Sequence, residues 1–152
     1  MLEETMELDD NYFMKQALKQ ALMAFDDDEV PIGAVVVSGN EIVGKGYNQT
    51  KRLNDPTAHA EMLAITAASN ALNTSILDTC RLYVTVEPCV MCAGAIKWAR
   101  LEKIVYGTSE PKSGFTMHKP SVLHPKTTVV QGVLEDETRA LMSDFFRAKR
   151  EG

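Results

Sequence analysis

The sequence has no apolar stretch approaching the ~20 residues that a membrane-spanning helix needs, which excludes a chain that crosses a bilayer by such a helix. Cysteine is scarce. Three in 152 residues is an odd count, and two of the three stand at positions 89 and 92, a spacing that suits metal or redox chemistry and not a disulfide framework. Base is not in excess either: 16 Lys and Arg against 21 Asp and Glu give a net charge of -5. Sequence-independent affinity for nucleic acid comes from neutralising phosphates, so a generally adhesive nucleic-acid binder is excluded and only a local basic patch could serve. Nine Gly and six Pro, without repeat or low-complexity bias, exclude linker-like and solenoid architectures. The opening Met1–Glu7 is acidic and lacks both the basic and the apolar parts of a secretory signal, so the expected location is cytoplasmic, with no membrane partner.

What is present is enough apolar material, 45% of residues, for one core in one domain spanning residues 1–152. Phe13, Met14, Ala17, Leu18, Ala21, Leu22 and Phe25 recur at three and four, which predicts an amphipathic helix capped by Asp9 or Asp10. The like-charge run Asp26–Glu29 reads as a solvated loop without a catalytic role. Ile32–Val37 and Ile42–Tyr47 read as strands joined by a hairpin turn at Gly39-Asn40. A loop over Asn48–Pro56 leads to a helix over Ala58–Leu72 with Thr57 as its expected cap. Cys80 is expected to be a small buried residue before a strand at Leu82–Val86. Pro88 introduces a helix over Cys89–Arg100, tolerated there because a helix start has no use for its missing N–H. Strands at Lys103–Gly107 and Thr127–Gln131 and a helix over Glu135–Lys149 complete the order α-β-β-α-β-α-β-β-α. The fold class is α/β, a mixed five-stranded sheet covered by helices on both faces.

Two short motifs carry the chemistry. His59-Ala60-Glu61 and Pro88-Cys89-Val90-Met91-Cys92 each stand at a predicted helix start. Cys89 and Cys92 share one helical face, where the positive end of the dipole favours thiolates. His59 and Glu61, two apart, would point roughly 200° from each other inside a helix, so they share a site only if it lies beyond the helix end. Zn2+ takes two thiolates and one imidazole readily, and three protein ligands leave a fourth position for water. Two thiolates offset the metal's charge and weaken its pull on that water, so Glu61 is assigned as the group that takes its proton and passes it on. A closed structural zinc would need a fourth ligand, for which Cys80, His118 and His124 offer no motif spacing.

The segments Glu29–Val35, Asp55–Met62, Tyr83–Ala95 and Ser143–Arg147, which include both motifs, resemble bacterial tRNA adenosine deaminases. The paired motifs are also the general signature of zinc nucleobase deaminases. The resemblance implies a cytidine deaminase-like three-layer α-β-α sandwich, a homodimer, and conversion of adenosine to inosine at the wobble position of a tRNA anticodon stem-loop. It further implies that Asn48 hydrogen-bonds the flipped base, that Val30 and Pro31 wall its pocket, and that the Ala60 backbone reads its edge. Phe145 would stack on a base, with Arg147, Lys149 and Arg150 meeting phosphates. Two departures concern RNA contact: Glu110 stands where the family commonly has Asp, and Phe115–Lys126, with Pro120 and Pro125, is shorter than the family's partly helical segment. Two other functions stay open on the residues alone. One is deamination of a free base or nucleoside such as guanine or cytosine, and the other is a non-catalytic partner subunit, against which Glu61 speaks.

Overall fold

The computed structural model describes residues 8–151; the acidic Met1–Glu7 reading falls outside them. Helix α1 (Asp10–Asp26) begins at Asp9, whose carboxylate accepts the Tyr12 N–H at 2.9 Å, and it buries Phe13, Met14, Ala17, Ala21 and Ala24. Strands β1 (Gly33–Ser38) and β2 (Glu41–Tyr47) form a hairpin in which Gly39 takes the positive φ of +62° that the two-residue turn requires. Then follow α2 (Ala60–Leu72), β3 (Cys80–Val86), α3 (Val90–Ala99), β4 (Lys103–Thr108), one 3-10 turn at Phe115–Met117, β5 (Thr128–Gln131) and α4 (Glu135–Glu151).

The sheet order is β2-β1-β3-β4-β5. The pairs β1/β2 and β1/β3 are antiparallel, and β3/β4 and β4/β5 are parallel. These directions decide where function can sit. They bring the start of β1 and the ends of β2, β3 and β4 to one edge of the sheet, so Val30-Pro31, Asn48, Glu87–Cys89 and Ser109-Glu110 all open there. The period of two along the strands divides the core. Ala34, Val36, Leu82, Val84 and Ile104 face α2 and α3, through Ala60, Ala64, Ala68, Ala93 and Ile96. On the other face Val35, Val37, Tyr83 and Val105 meet Phe13, Met14 and Ala17 of α1, and α4 lies against β4. This is the expected three-layer sandwich.

Small residues set the closeness of α2. A Cβ at Gly44 would stand 2.3 Å from Ala64 O and one at Gly46 would stand 2.5 Å from Ala60 O. Two glycines on one face of β2 therefore meet a run of alanines spaced by four on α2, and the helix backbone rests almost on the strand. That contact holds the first turn of α2 at the functional edge. Among the described residues, no helix is long and apolar enough to cross a membrane.

Three local expectations are corrected. Thr57 does not cap α2: its N–H and hydroxyl both go to Asp55 Oδ1, at 2.8 and 2.7 Å, closing a turn before the helix. Cys80 is buried as expected but belongs to β3, opposite Ser38. The acidic run is not simply solvated. Asp26 and Asp27 end α1 at the surface, yet Glu29 is only 1% exposed.

Candidate metal and catalytic site

His59 is the N-cap of α2 and Cys89 the N-cap of α3, both in extended conformation and neither using its side chain to cap. An N-cap side chain ordinarily satisfies one of the helix's free N–H groups. Here both are released toward a common point. Cys89 Sγ lies 3.7 Å and Cys92 Sγ 3.6 Å from His59 Nδ1, and the three ligand atoms fall within 4.8 Å of one another. Around a tetrahedral zinc with Zn–S of about 2.3 Å and Zn–N of about 2.0–2.1 Å the S···N edge is about 3.5–3.6 Å. The donor set therefore fits a divalent, thiophilic cation in both chemistry and spacing. Two helix N-termini point at the same place and favour the negative charge of thiolates.

The protonation states follow from this crowding. Hydrogen bonds from Cys92 and then His59 push the Cys89 thiol down to about 3. Cys92 moves up, because Cys89 already holds the shared proton's acceptor role and because the site is buried. His59 also rises, chiefly through its hydrogen bond to Cys89. A divalent cation bound here would replace these shared protons and would be held by two thiolates and a neutral imidazole. Glu61, in the first turn of α2, is 4% exposed, and burial pushes its carboxyl up to about 7 despite its own backbone N–H and the nearby His59. With His59 at the cap and Glu61 on the first turn, the two share the space beyond the helix end, as their spacing of two requires.

Asn48 is the first residue after β2 and is 7% exposed, while its N–H donates to Ile32 O. Its Oδ1 has no partner, one of two such buried side-chain atoms among the described residues; the other is Thr138 Oγ1 on α4. A buried amide oxygen left unpaired costs free energy unless something fills it, which suits an acceptor waiting for a ligand. Pro31 and Ala60 are buried and Val30 is half-buried. The loop from Asn48 to His59 is held from beneath by Glu29, a residue without a role in the sequence reading. Its carboxylate accepts the Arg52 N–H at 2.7 Å, the Lys51 N–H at 3.2 Å and, at 3.5 Å, the Thr50 hydroxyl. The same acidic run pairs Asp27 with Arg52 and Asp28 with both Lys51 and Lys149.

Beside the edge lies a cavity of about 410 Å³ lined by Glu110, Ser143, Phe146, Arg139, Arg147 and Arg150 among others. Glu110 and Arg147 thus face one space, although Arg147 also pairs with Asp144 at 3.3 Å and Glu110 Oε1 accepts the Lys112 N–H at 2.9 Å. Phe145 is corrected. It is 6% exposed, packed against Phe25 at 5.9 Å between centroids, and does not line this cavity, whereas Phe146 is 42% exposed and does. Adjacent residues on a helix point some 100° apart, so only one of the pair could be outward, and the sequence reading chose the wrong one. The segment after Glu110 carries no helix beyond its single 3-10 turn, and Phe115 and Leu123 bury it into the core.

The chain matches the MafB19-like deaminase family over residues 8–150. It is 42% identical over 143 residues to the tRNA-specific adenosine deaminase of Aquifex aeolicus, covering 91% of this chain and 95% of that one. A solved tRNA:A34 deaminase, studied for A-to-I editing at the wobble position of transfer RNA, superposes with a TM-score of 0.80 at 40% identity over 86% of this chain and 98% of that one. A guanine deaminase from Bacillus subtilis is 39% identical over 68% of this chain and 67% of its own, with a TM-score of 0.65.

Proposed function

The chain belongs to the MafB19-like deaminase family and to the family of tRNA-specific adenosine deaminases, and we propose that it deaminates adenosine to inosine at the wobble position of a tRNA anticodon. The observation that carries this reading is the convergence of His59, Cys89 and Cys92 beside the buried carboxyl of Glu61. His59, Cys89 and Cys92 would hold Zn2+, which when bound would supply Lewis-acid activation of a water molecule. Glu61 would take a proton from the attacking water as its oxygen bonds to the amine-bearing purine carbon, return it to the ring nitrogen beside that carbon, and carry the water's second proton to the amine, so that the carbon–nitrogen bond breaks and ammonia leaves. Asn48 Oδ1 accepts from the base, the Ala60 backbone meets its edge, and Val30 and Pro31 close the pocket around it. The base enters flipped out of its strand, which costs least in an anticodon loop that is already single-stranded.

Similar solved structures include a guanine deaminase, so size of substrate is the question. The cavity with Phe146, Arg139, Arg147 and Arg150 supports an extended substrate, because three guanidinium groups beside an exposed ring suit phosphates flanking a stacked base. Glu110 faces the same space and can accept from a ribose 2′-OH. A tRNA substrate supports a cytoplasmic location. Val90, Gly94 and Trp98 recur by four on the outer face of α3, with Trp98 83% exposed, which supports a homodimer through that face. The decisive experiment incubates the protein with an anticodon stem-loop RNA, the same loop in DNA, adenosine, guanine and cytosine, and quantifies products by mass spectrometry. Inosine from the RNA loop, at far higher kcat/KM than any free base gives, is the expected result; equal turnover of guanine replaces the reading by that of a free-base deaminase.

A further inference from the structure

We propose that Glu87 is a positioning residue that sets substrate affinity by fixing the loop from Glu110 to Thr116 against the metal-bearing start of α3. Glu87 lies two residues before Cys89 and is 5% exposed. Its carboxylate makes no ion pair among the described residues. Instead Oε1 accepts the Glu110 N–H at 3.0 Å, and Oε2 accepts the Thr116 N–H at 3.0 Å and the Thr116 hydroxyl at 2.8 Å. The two oxygens thus grasp the two ends of one loop. Between those ends Gly114 lies directly on the carboxylate: a Cβ there would stand 2.1 Å from Glu87 Oε2. Gly114 also forms a bridge with Cys89, and the Phe115 N–H donates to Pro88 O at 2.9 Å.

The chemistry of the joint explains the residue type. A buried carboxylate is costly unless its lone pairs are filled, and N–H donors to a charged acceptor make the stronger class of hydrogen bond. Two oxygens facing donors at both ends of the loop require an acceptor-only side chain; an amide of the same shape would turn an NH2 group toward one of those N–H groups. The loop leads with Glu110, which faces the cavity on the substrate side, so its position reaches the substrate without Glu87 touching it. Glu61 and Glu87 are therefore buried glutamates of opposite kind, the first close to the reaction and the second holding the wall.

The proposal rests on the substrate reading above, and its test separates the two. Zinc-loaded full-length protein, Glu87→Gln, the milder Thr116→Val and their double variant are compared for KM and kcat on the anticodon stem-loop RNA, for zinc content, and for hydrogen exchange at the Glu110 and Thr116 amides. Expected are a KM raised about tenfold in Glu87→Gln, equal to about 1.4 kcal/mol, a smaller rise in Thr116→Val, and a double variant no worse than Glu87→Gln alone. Zinc content and kcat at saturation stay within about twofold while both amides exchange faster. Faster exchange with an unchanged KM overturns the proposal, as does a parallel loss of zinc and kcat with KM unmoved, and so does a double variant whose KM effects multiply. If the wild type turns over a free base and not the RNA, the substrate reading alone fails, and the same KM comparison on that base decides the role of Glu87.

Discussion

His59, Glu61, Cys89 and Cys92 stand at the starts of two helices, the first of which is set on the sheet by glycine and alanine contacts, whereas Glu110 and Phe146 line the neighbouring cavity from a coil segment and the outer face of α4. In the first region the backbone of α2 rests on that of β2, and the geometry of the ligand set answers to a chemical requirement that tolerates errors of only a few tenths of an ångström. The second is positioned through side-chain acceptors such as Glu87 and through the packing of Phe115 and Phe145. A deaminase can thus keep its reaction constant in the first region and change its substrate by altering the second.

The hardest break falls on the first region. Replacing Cys89 and Cys92 together by Ala is expected to abolish zinc binding and turnover, measured by elemental analysis and product formation; zinc retained at one per chain would remove both from the ligand set. Next in size is Glu61→Gln, which keeps the shape of the side chain but cannot take a proton. It should retain zinc and RNA binding and lose ~100- to 10,000-fold in kcat, the range typical of a general acid–base group. A variant within a few-fold of wild type assigns the proton transfers to another group.

This division also describes what could be seen in advance. The metal motif was legible because its constraint is local: residues at spacings of two and three on a helix start have a geometry that the sequence itself determines. The helices and strands among the described residues and their order were legible for a related reason, since periods of 3.6 and 2 mark the buried faces of most of them, β5 being short and exposed. Glu29 and Glu87 were not, because what distinguishes them is burial against main-chain N–H groups 20 or more residues away. Glu29 looked like the end of an acidic surface run, and Glu87 had no reading of its own. Phe145 and Phe146 show the same limit on a finer scale. Two neighbouring aromatics say that one is inside, and only the Phe25 ring across the interface from α1 says which.

That pair offers the third break. Phe146→Ala should weaken RNA binding by about 1–3 kcal/mol if a base stacks on its ring, with little change in melting temperature. Phe145→Ala should do the reverse, costing about 3–5 kcal/mol of stability as a buried ring is lost. Binding titrations and thermal melts of the two variants separate the roles, and a loss of affinity confined to Phe145→Ala would restore the sequence reading.

The smallest expected effect belongs to the acidic run that joins the two regions, where Asp28 pairs with Lys51 of the loop after β2 and with Lys149 near the end of α4. Hydrogen bonds from Lys149 and then Lys51 hold the Asp28 carboxyl below its ordinary value of 3.8. A carboxyl depressed in the folded state stabilises the fold at pH values above its unfolded pKa, and that stabilisation disappears as pH falls through the depressed folded value. Asp28→Asn should therefore be slightly less stable than wild type at pH 7, with the difference shrinking below about pH 4 as the wild-type carboxyl itself gains a proton. The group is exposed, so salt should shrink the difference as well. Asp28 sits at a φ of +61°, a conformation that Asn adopts at least as readily, so backbone strain adds no pH-dependent part of its own. Denaturant midpoints of both proteins at pH 7 and pH 3, each at low and high salt, test this directly. A difference that stays constant across all four conditions would show that Asp28 acts through packing and not through charge, and that the two regions are joined by some other contact.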